Sequence, residues 1–160
     1  MADPDPAATE RDRRWLQAAV ALSRRCPPSD TAFSVGAVIV DAGGGLLAAG
    51  YSRESDPHVH AEESALTRLR PEDPRLRGAT IYSSLEPCSA RRSRPRACAA
   101  LILAAGIRRV VFALREPVLF VDGRGVEELR AAGALVIELP ELADQVREVN
   151  AHLLGRHTGS

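Results

Sequence analysis

The order of elements predicts a three-layer α/β/α sandwich built around one five-stranded mixed sheet whose last two strands run parallel. Helical and strand-like stretches follow one another along the 160 residues as α-β-β-α-β-α-β-α-β-α, the signature of a sheet covered by helices. The first two strands are separated by a Gly-rich turn, as in a hairpin. A helix lies between the fourth and fifth strands, and a crossover of that length joins parallel neighbours.

Residues 1–9, rich in Ala, Pro and Asp, read as a tail. From Glu10 to Arg25 the residues Trp15, Ala18, Ala19 and Leu22 recur at helical spacing, with Arg and Asp opposite, so an amphipathic helix is expected. The stretch Cys26-Pro27-Pro28-Ser29-Asp30 ends it. Residues 32–40 read as a strand, 41–45 as a turn and 46–51 as a second strand. An irregular loop over 52–59 precedes a helix over 60–70, whose inner face would be Ala61, Ala65, Leu66 and Leu69. Pro71-Glu72-Asp73-Pro74 stops that helix.

Residues 79–85 form the third predicted strand, and residues 86–96 a loop dense in Arg, Ser and Pro. A third helix over 97–106 closes on Gly106 in the position where a left-handed residue ends a helix. Strand four covers 108–114, and a loop leads to helix 125–133. Strand five covers 134–139, and a last helix 141–154. Residues 10–155 are thus expected to make one domain, with 156–160 a C-terminal tail, and no internal repeat is present.

Hydrophobic residues make up 45% of the chain and charged residues 26%, ordinary values for a globular protein. Twenty-one basic residues balance twenty-one acidic ones, which gives no global attraction to nucleic acid or to anionic membrane. One Trp, two Tyr and three Phe are few for a stacking groove. A nucleic-acid partner is therefore not expected. No apolar run approaches the roughly 18 residues needed to cross a bilayer, and the N-terminus lacks the basic-then-apolar pattern of a signal peptide. Cytoplasm is the expected compartment. Cys26, Cys88 and Cys98 are an odd, sparse set, which argues against a disulfide framework.

The chemistry concentrates in two places. His58-Val59-His60-Ala61-Glu62-Glu63 opens the second helix, and Glu86-Pro87-Cys88 follows the third strand, with Cys98 in the first turn of the next helix. Alone, the Cys pair also fits two buried small residues. Strand-helix junctions on one side of a sheet can instead bring His60, Cys88 and Cys98 together as one nitrogen and two sulfur donors. Zinc accepts that mixture tetrahedrally, and three protein ligands leave a fourth position for water. Thiolates beside helix N-termini are also favoured by the helix dipole.

His-Ala-Glu at 60–62, Glu-Pro-Cys at 86–88 and Cys98 match the H-x-E … P-C … C pattern, and the chain resembles zinc-dependent base and nucleoside deaminases of the cytidine deaminase-like fold. The resemblance covers residues 11–139. It implies one zinc ion per chain, held by His60, Cys88 and Cys98, with Glu62 as the proton shuttle in a hydrolytic deamination. Glu63 would then be a solvated or supporting carboxylate, and Cys26 structural. His58, in the loop before the helix, is a candidate substrate contact.

Within that family the chain most resembles the deaminase domain of riboflavin biosynthesis enzymes. The matching stretches are Ser34–Val40, Ile81–Ser89, Cys98–Leu114 and residues 123–136. The implied substrate is a small aminopyrimidine, a diaminopyrimidinone carrying a ribosylamino 5′-phosphate. No segment corresponds to those enzymes' reductase domain, so a monofunctional deaminase or a relative is expected. Cytosine, cytidine, deoxycytidine or an aminopurine is the alternative substrate, and an inactive zinc-binding module the non-enzyme alternative. Family habit implies a homo-oligomer, dimer or tetramer.

This chain departs from that pattern at the pocket. Nine residues separate Cys88 from Cys98, and they hold Arg91, Arg92, Arg94 and Arg96 in place of the expected His and Gly. Arg91, Arg92 and Arg94 are candidate phosphate ligands, the alternative being a solvated basic loop. Ala32-Phe33-Ser34-Val35-Gly36 stands where the family has Asn-Pro-x-Val-Gly. Ser52 stands where tRNA-type enzymes place a base-contacting Asn. Ser52, Ser84 and the backbone near Ala32 and Leu85 are the remaining candidates for base recognition. Pro87 would fix the approach to Cys88, and Glu86 either positions that backbone or faces solvent.

Overall fold

The computed structural model describes residues 8–89, 97–115 and 125–153. Helix α1 (Glu10–Ser23) leads into β1 (Gly36–Val40), β2 (Leu46–Tyr51) and α2 (Ala61–Thr67). Then come β3 (Thr80–Leu85), α3 (Cys98–Ala104), β4 (Arg109–Leu114), α4 (Gly125–Ala131), β5 (Leu135–Glu138) and α5 (Ala143–Val149). The five strands form one sheet in the order β2-β1-β3-β4-β5. β1 is antiparallel to β2 and β3, while β3, β4 and β5 are parallel, as the crossover argument requires for the last pair. Helices α1 and α5 pack together against one face, and α2, α3 and α4 adjoin one another on the other. No helix among the described residues is long and apolar enough to cross a membrane.

β1 and β3 are buried along their whole length. Both lie inside the sheet, so their side chains meet helices on both faces and read as continuous apolar runs. The strand expected over 32–40 begins only at Gly36. Over residues 33–34 the backbone is claimed by side chains instead of a ladder. Asn150 Oδ1 accepts from Ser34 N (2.7 Å), Asn150 Nδ2 donates to Ser34 O (3.1 Å), and Arg53 Nη1 donates to Phe33 O (3.0 Å). Arg53 reaches these groups from a left-handed backbone, φ 61°.

Two short 3₁₀ turns, Pro74–Gly78 and Pro140–Leu142, escaped the sequence reading. Asp73 caps the first by accepting from Arg75 N at 2.9 Å, and the turn buries Leu76 in the core. The second replaces the start of the predicted last helix, because Pro140 supplies a helical φ but no donor. Helix α2 ends at Thr67, three residues before the expected end.

Helix α1 is rotated relative to the expected stripe. Its buried residues are Asp12, Leu16, Ala19, Val20 and Ser23, and Trp15, Ala18 and Leu22 pack at the margin. The reason is Asp12, which the periodicity put on the solvent side and which is only 1% exposed. Thr9 and Asp12 form a reciprocal capping box (Thr9 N to Asp12 Oδ2 2.9 Å, Asp12 N to Thr9 Oγ1 3.2 Å). The same carboxylate accepts from Tyr82 Oη at 2.7 Å and from Arg109 Nη1 and Nη2, each at 2.6 Å. One side chain therefore ties the start of α1 to β3 and β4.

Burial pushes the Asp12 pKa up, but hydrogen bonds from Arg109, Tyr82 and Thr9 outweigh it and bring the group to about 2 from 3.8. That difference corresponds to about 2 kcal/mol of folding stability at neutral pH. A depressed carboxyl stabilises the fold above its unfolded pKa and loses that contribution as pH falls through the folded one. Asp12→Asn is expected to lower stability by about 2 kcal/mol at pH 7. The gap to the wild type should shrink between pH 4 and pH 2, as read from urea unfolding curves at each pH.

Candidate functional site

Three segments converge at one end of the sheet. His60 is the N-cap of α2, Cys88 follows β3, and Cys98 is the first residue of α3. Each is set in place by its own backbone device. Helix α2 lies close on β2 because Gly50 has no side chain: a Cβ there would sit 2.6 Å from Ala65 N. The His60 N–H donates to Glu63 Oε1 at 3.4 Å, so Glu63, assigned from sequence to solvent or support, closes the first turn of α2. Glu54 accepts from Ser64 Oγ (2.7 Å) and from Arg68 Nη1 and Nη2 (3.0 and 2.7 Å), which fastens the loop before His60 to the helix after it.

The Cys88 side is held by a carboxylate. Glu86 is 3% exposed, so the solvent-facing alternative does not hold. Its N–H donates to Leu114 O (2.9 Å), and its Oε2 accepts from Val126 N (3.0 Å) in the first turn of α4. Gly125 permits that approach, since a Cβ there would fall 1.7 Å from Pro87 O. Helix α4 therefore presses on Glu86-Pro87 and fixes the step to Cys88. From Cys88 the bonds pass to α3: Cys98 N donates to Cys88 Sγ (3.3 Å) and Ala99 N to Cys88 O (3.0 Å).

The result is a cluster of one nitrogen and two sulfurs within 4.8 Å of one another. His60 Nδ1 lies 3.3 Å from Cys98 Sγ and 3.6 Å from Cys88 Sγ. Zinc bonds of about 2.0–2.1 Å to nitrogen and 2.3 Å to sulfur put tetrahedral N and S ligands roughly 3.6 Å apart. The donor set and its spacing fit that ion. Hydrogen bonding from Cys98 and the His60 ring outweighs the upward pull of burial and lowers the pKa of the Cys88 thiol, the direction that suits a thiolate ligand to a metal.

Glu62 follows His60 by two residues and is 3% exposed. Burial, the dominant influence, raises its pKa, with the His60 ring acting in the opposite direction. Its Oε2 accepts from Ser83 Oγ at 3.0 Å. Ser83 was not singled out from the sequence, whereas Ser84 was. Strand alternation decides between them. Tyr82 reaches Asp12 on α1, so Ser84 shares that face, and its Oγ accepts from Gly36 N at 3.1 Å. Ser83 faces α2.

The other candidates lie as follows. The Ser52 hydroxyl is buried and accepts from Val35 N at 3.0 Å, which joins the end of β2 to the approach to β1. His58 is exposed, its N–H donating to Asp56 Oδ1 at 2.7 Å. The Cys26 thiol donates to Val35 O at 3.4 Å. Arg91, Arg92, Arg94 and Arg96 lie outside the described residues. Glu63, three residues after His60, carried a readable signal as a capping pattern, whereas the partner of Glu86, 40 residues on at Val126, left none. Asn150 also bonds Val146 O one turn back (3.0 Å), but its contact with Ser34, 116 residues away, left no local signal.

A family model described as the cytidine and deoxycytidylate deaminase zinc-binding region matches residues 9–114. The diaminohydroxyphosphoribosylamino-pyrimidine deaminase of Schizosaccharomyces pombe is 41% identical over 126 residues, which is 78% of this chain and 31% of that protein. Riboflavin biosynthesis protein RibD of Aquifex aeolicus is 34% identical over 145 residues, 88% of this chain and 38% of that protein. The solved structure of Acinetobacter baumannii RibD superposes with a TM-score of 0.76 at 31% identity, covering 89% of this chain and 38% of that one. The chain spans about a third of the length of these relatives.

Metal analysis after gel filtration is expected to find about one zinc per chain. Cys88→Ser or Cys98→Ser should each remove most of it, and Cys26→Ser should leave it in place.

Proposed function

The chain belongs to the cytidine and deoxycytidylate deaminase zinc-binding family, and from that premise we propose that it is a zinc-dependent hydrolytic deaminase of an aminopyrimidine. The proposed substrate is a diaminopyrimidinone carrying a ribosylamino 5′-phosphate, in keeping with the names of its relatives in riboflavin biosynthesis. The observation that carries the reading is a buried carboxyl, Glu62, beside a one-nitrogen, two-sulfur cluster of zinc dimensions. A purely structural metal site has no use for an ionisable group in that position.

In this reading His60, Cys88 and Cys98 hold the ion, which when bound supplies water activated for attack near neutral pH. Glu62 takes the proton from the attacking water and passes it to a ring nitrogen and then to the departing amine. A C–O bond forms at the amine-bearing carbon, the exocyclic C–N bond breaks, and ammonia leaves. The raised proton affinity of Glu62 suits a group that must accept a proton and then give it back. Cys88 and Cys98 are delivered by β3, α3 and α4, so these elements set where the substrate ring must lie.

Arg91, Arg92 and Arg94 stand in sequence between the two cysteines, and we assign the substrate phosphate to them. Residues 10–155 make up the catalytic unit. The odd, sparse set of three cysteines supports a reducing compartment, the cytoplasm, and the family resemblance supports a homo-oligomer.

Ammonia release across a panel tests the reading. The panel holds the pathway phosphate, its dephosphorylated form, cytosine, cytidine, deoxycytidine and guanine. The pathway phosphate should be turned over fastest, and removing the phosphate should raise KM. Turnover confined to cytidine or guanine would keep the mechanism and replace the substrate. Glu62→Gln is expected to retain zinc and lose about 100-fold or more in kcat.

A further inference from the structure

We propose that Ser83 is a positioning residue for the Glu62 carboxylate, an inference that rests on the deaminase reading above. Ser83 lies in the middle of β3, paired with Ala37 of β1 and Phe112 of β4, and it is fully buried. An apolar side chain would fill this position in an ordinary sheet interior. A hydroxyl there needs a partner, because leaving one unmatched costs about 1–3 kcal/mol.

Its two partners belong to different elements, one to its own strand and one to α2. Ser83 Oγ is 3.0 Å from Glu62 Oε2 and 2.8 Å from the Leu85 carbonyl oxygen. Both are acceptors, and the hydroxyl brings one hydrogen to the pair. The oxygen of Ser83 is thereby held between the backbone of β3 and the carboxylate on α2. Leu85 is the last residue of β3, and the chain runs from it directly through Glu86-Pro87 to Cys88. The strand that delivers Cys88 therefore also carries the hydroxyl that meets Glu62.

The last torsion of a glutamate is broad and nearly two-fold, so packing alone leaves the carboxylate plane poorly fixed. A hydrogen bond at Oε2 fixes that plane and gives Oε1 one direction. Proton transfer depends on reach and alignment, and a misplacement of about 1 Å can cost on the order of 100-fold in rate. Among the described residues the Ser83 hydroxyl bonds Glu62 and the Leu85 carbonyl and no candidate metal ligand, and in this reading it does not bind the substrate. Its contribution passes through Glu62 and belongs in kcat rather than KM.

Thr and Val are nearly isosteric, and only Thr keeps the hydroxyl, so Ser83→Thr and Ser83→Val isolate the hydrogen bond at constant shape. Ser83→Ala serves as a second hydroxyl-free variant without the added bulk. All three are compared with the wild type for zinc content, melting temperature and ammonia release from the pathway phosphate. Ser83→Val and Ser83→Ala are expected to lose about 10- to 100-fold in kcat, with KM within about twofold and zinc retained. Ser83→Thr should recover most of the rate. Equal kcat for Thr, Val and wild type would overturn the proposal, as would equal losses in Thr and Val. If the wild type releases ammonia from no panel compound, the deaminase reading fails. Crystal structures of the zinc-loaded Thr and Val variants then decide the Ser83 claim alone: it stands if the Glu62 carboxylate plane turns only in Val, and falls if the plane is the same in both.

Discussion

Holding one imidazole nitrogen 3.3 and 3.6 Å from two sulfurs makes demands on three chain segments that are far apart in sequence. None of the three segments is long, and α2 and α3 have seven residues each. Helices of that length are marginal alone, so each is fixed by what it packs on. Gly50 lets α2 settle on β2, and Gly125 lets α4 settle on Pro87. Glu86, buried at the junction, matches an otherwise open N–H of α4. Together these contacts hold the segments that carry the donor atoms to a common centre.

The opposite face of the sheet answers a different need. Asp12 there joins the capping of α1 to Tyr82 and Arg109, so one helix end is registered against the two central parallel strands. Neighbouring residues of β3 serve both purposes: Tyr82 reaches toward α1 and Ser83 toward Glu62. The strand thus carries the anchor of one layer and a contact of the metal-donor side on consecutive side chains. A shift of register by one residue would exchange the two faces.

Much of this was legible in the residues. Element order and the parallel pairing of β4 with β5 followed from connection lengths. The His60, Cys88 and Cys98 grouping was suggested by metal-donor types at strand-helix junctions and made specific by the family pattern, and the three donors do come together. What escaped the sequence was long-range or two-sided. Asp12 looked like an outward charge because periodicity cannot reveal a partner 97 residues away. The late start of β1 was hidden because Arg53 and Asn150 satisfy the Phe33 and Ser34 backbone from outside the local window. Ser83 and Ser84 are chemically identical neighbours, and only their facing within the sheet separates them.

The Asn150 contact joins the two ends of the chain's history. Its side-chain amide grips both the N–H and the carbonyl of Ser34, and Ser34 lies just before the strand at the sheet's interior. Loss of the last helix would free two buried backbone groups at the threshold of β1, not merely expose a terminal surface. The side chain at the C-cap of the last helix thus closes the Ser34 backbone from 116 residues away, a latch on the sheet's entry.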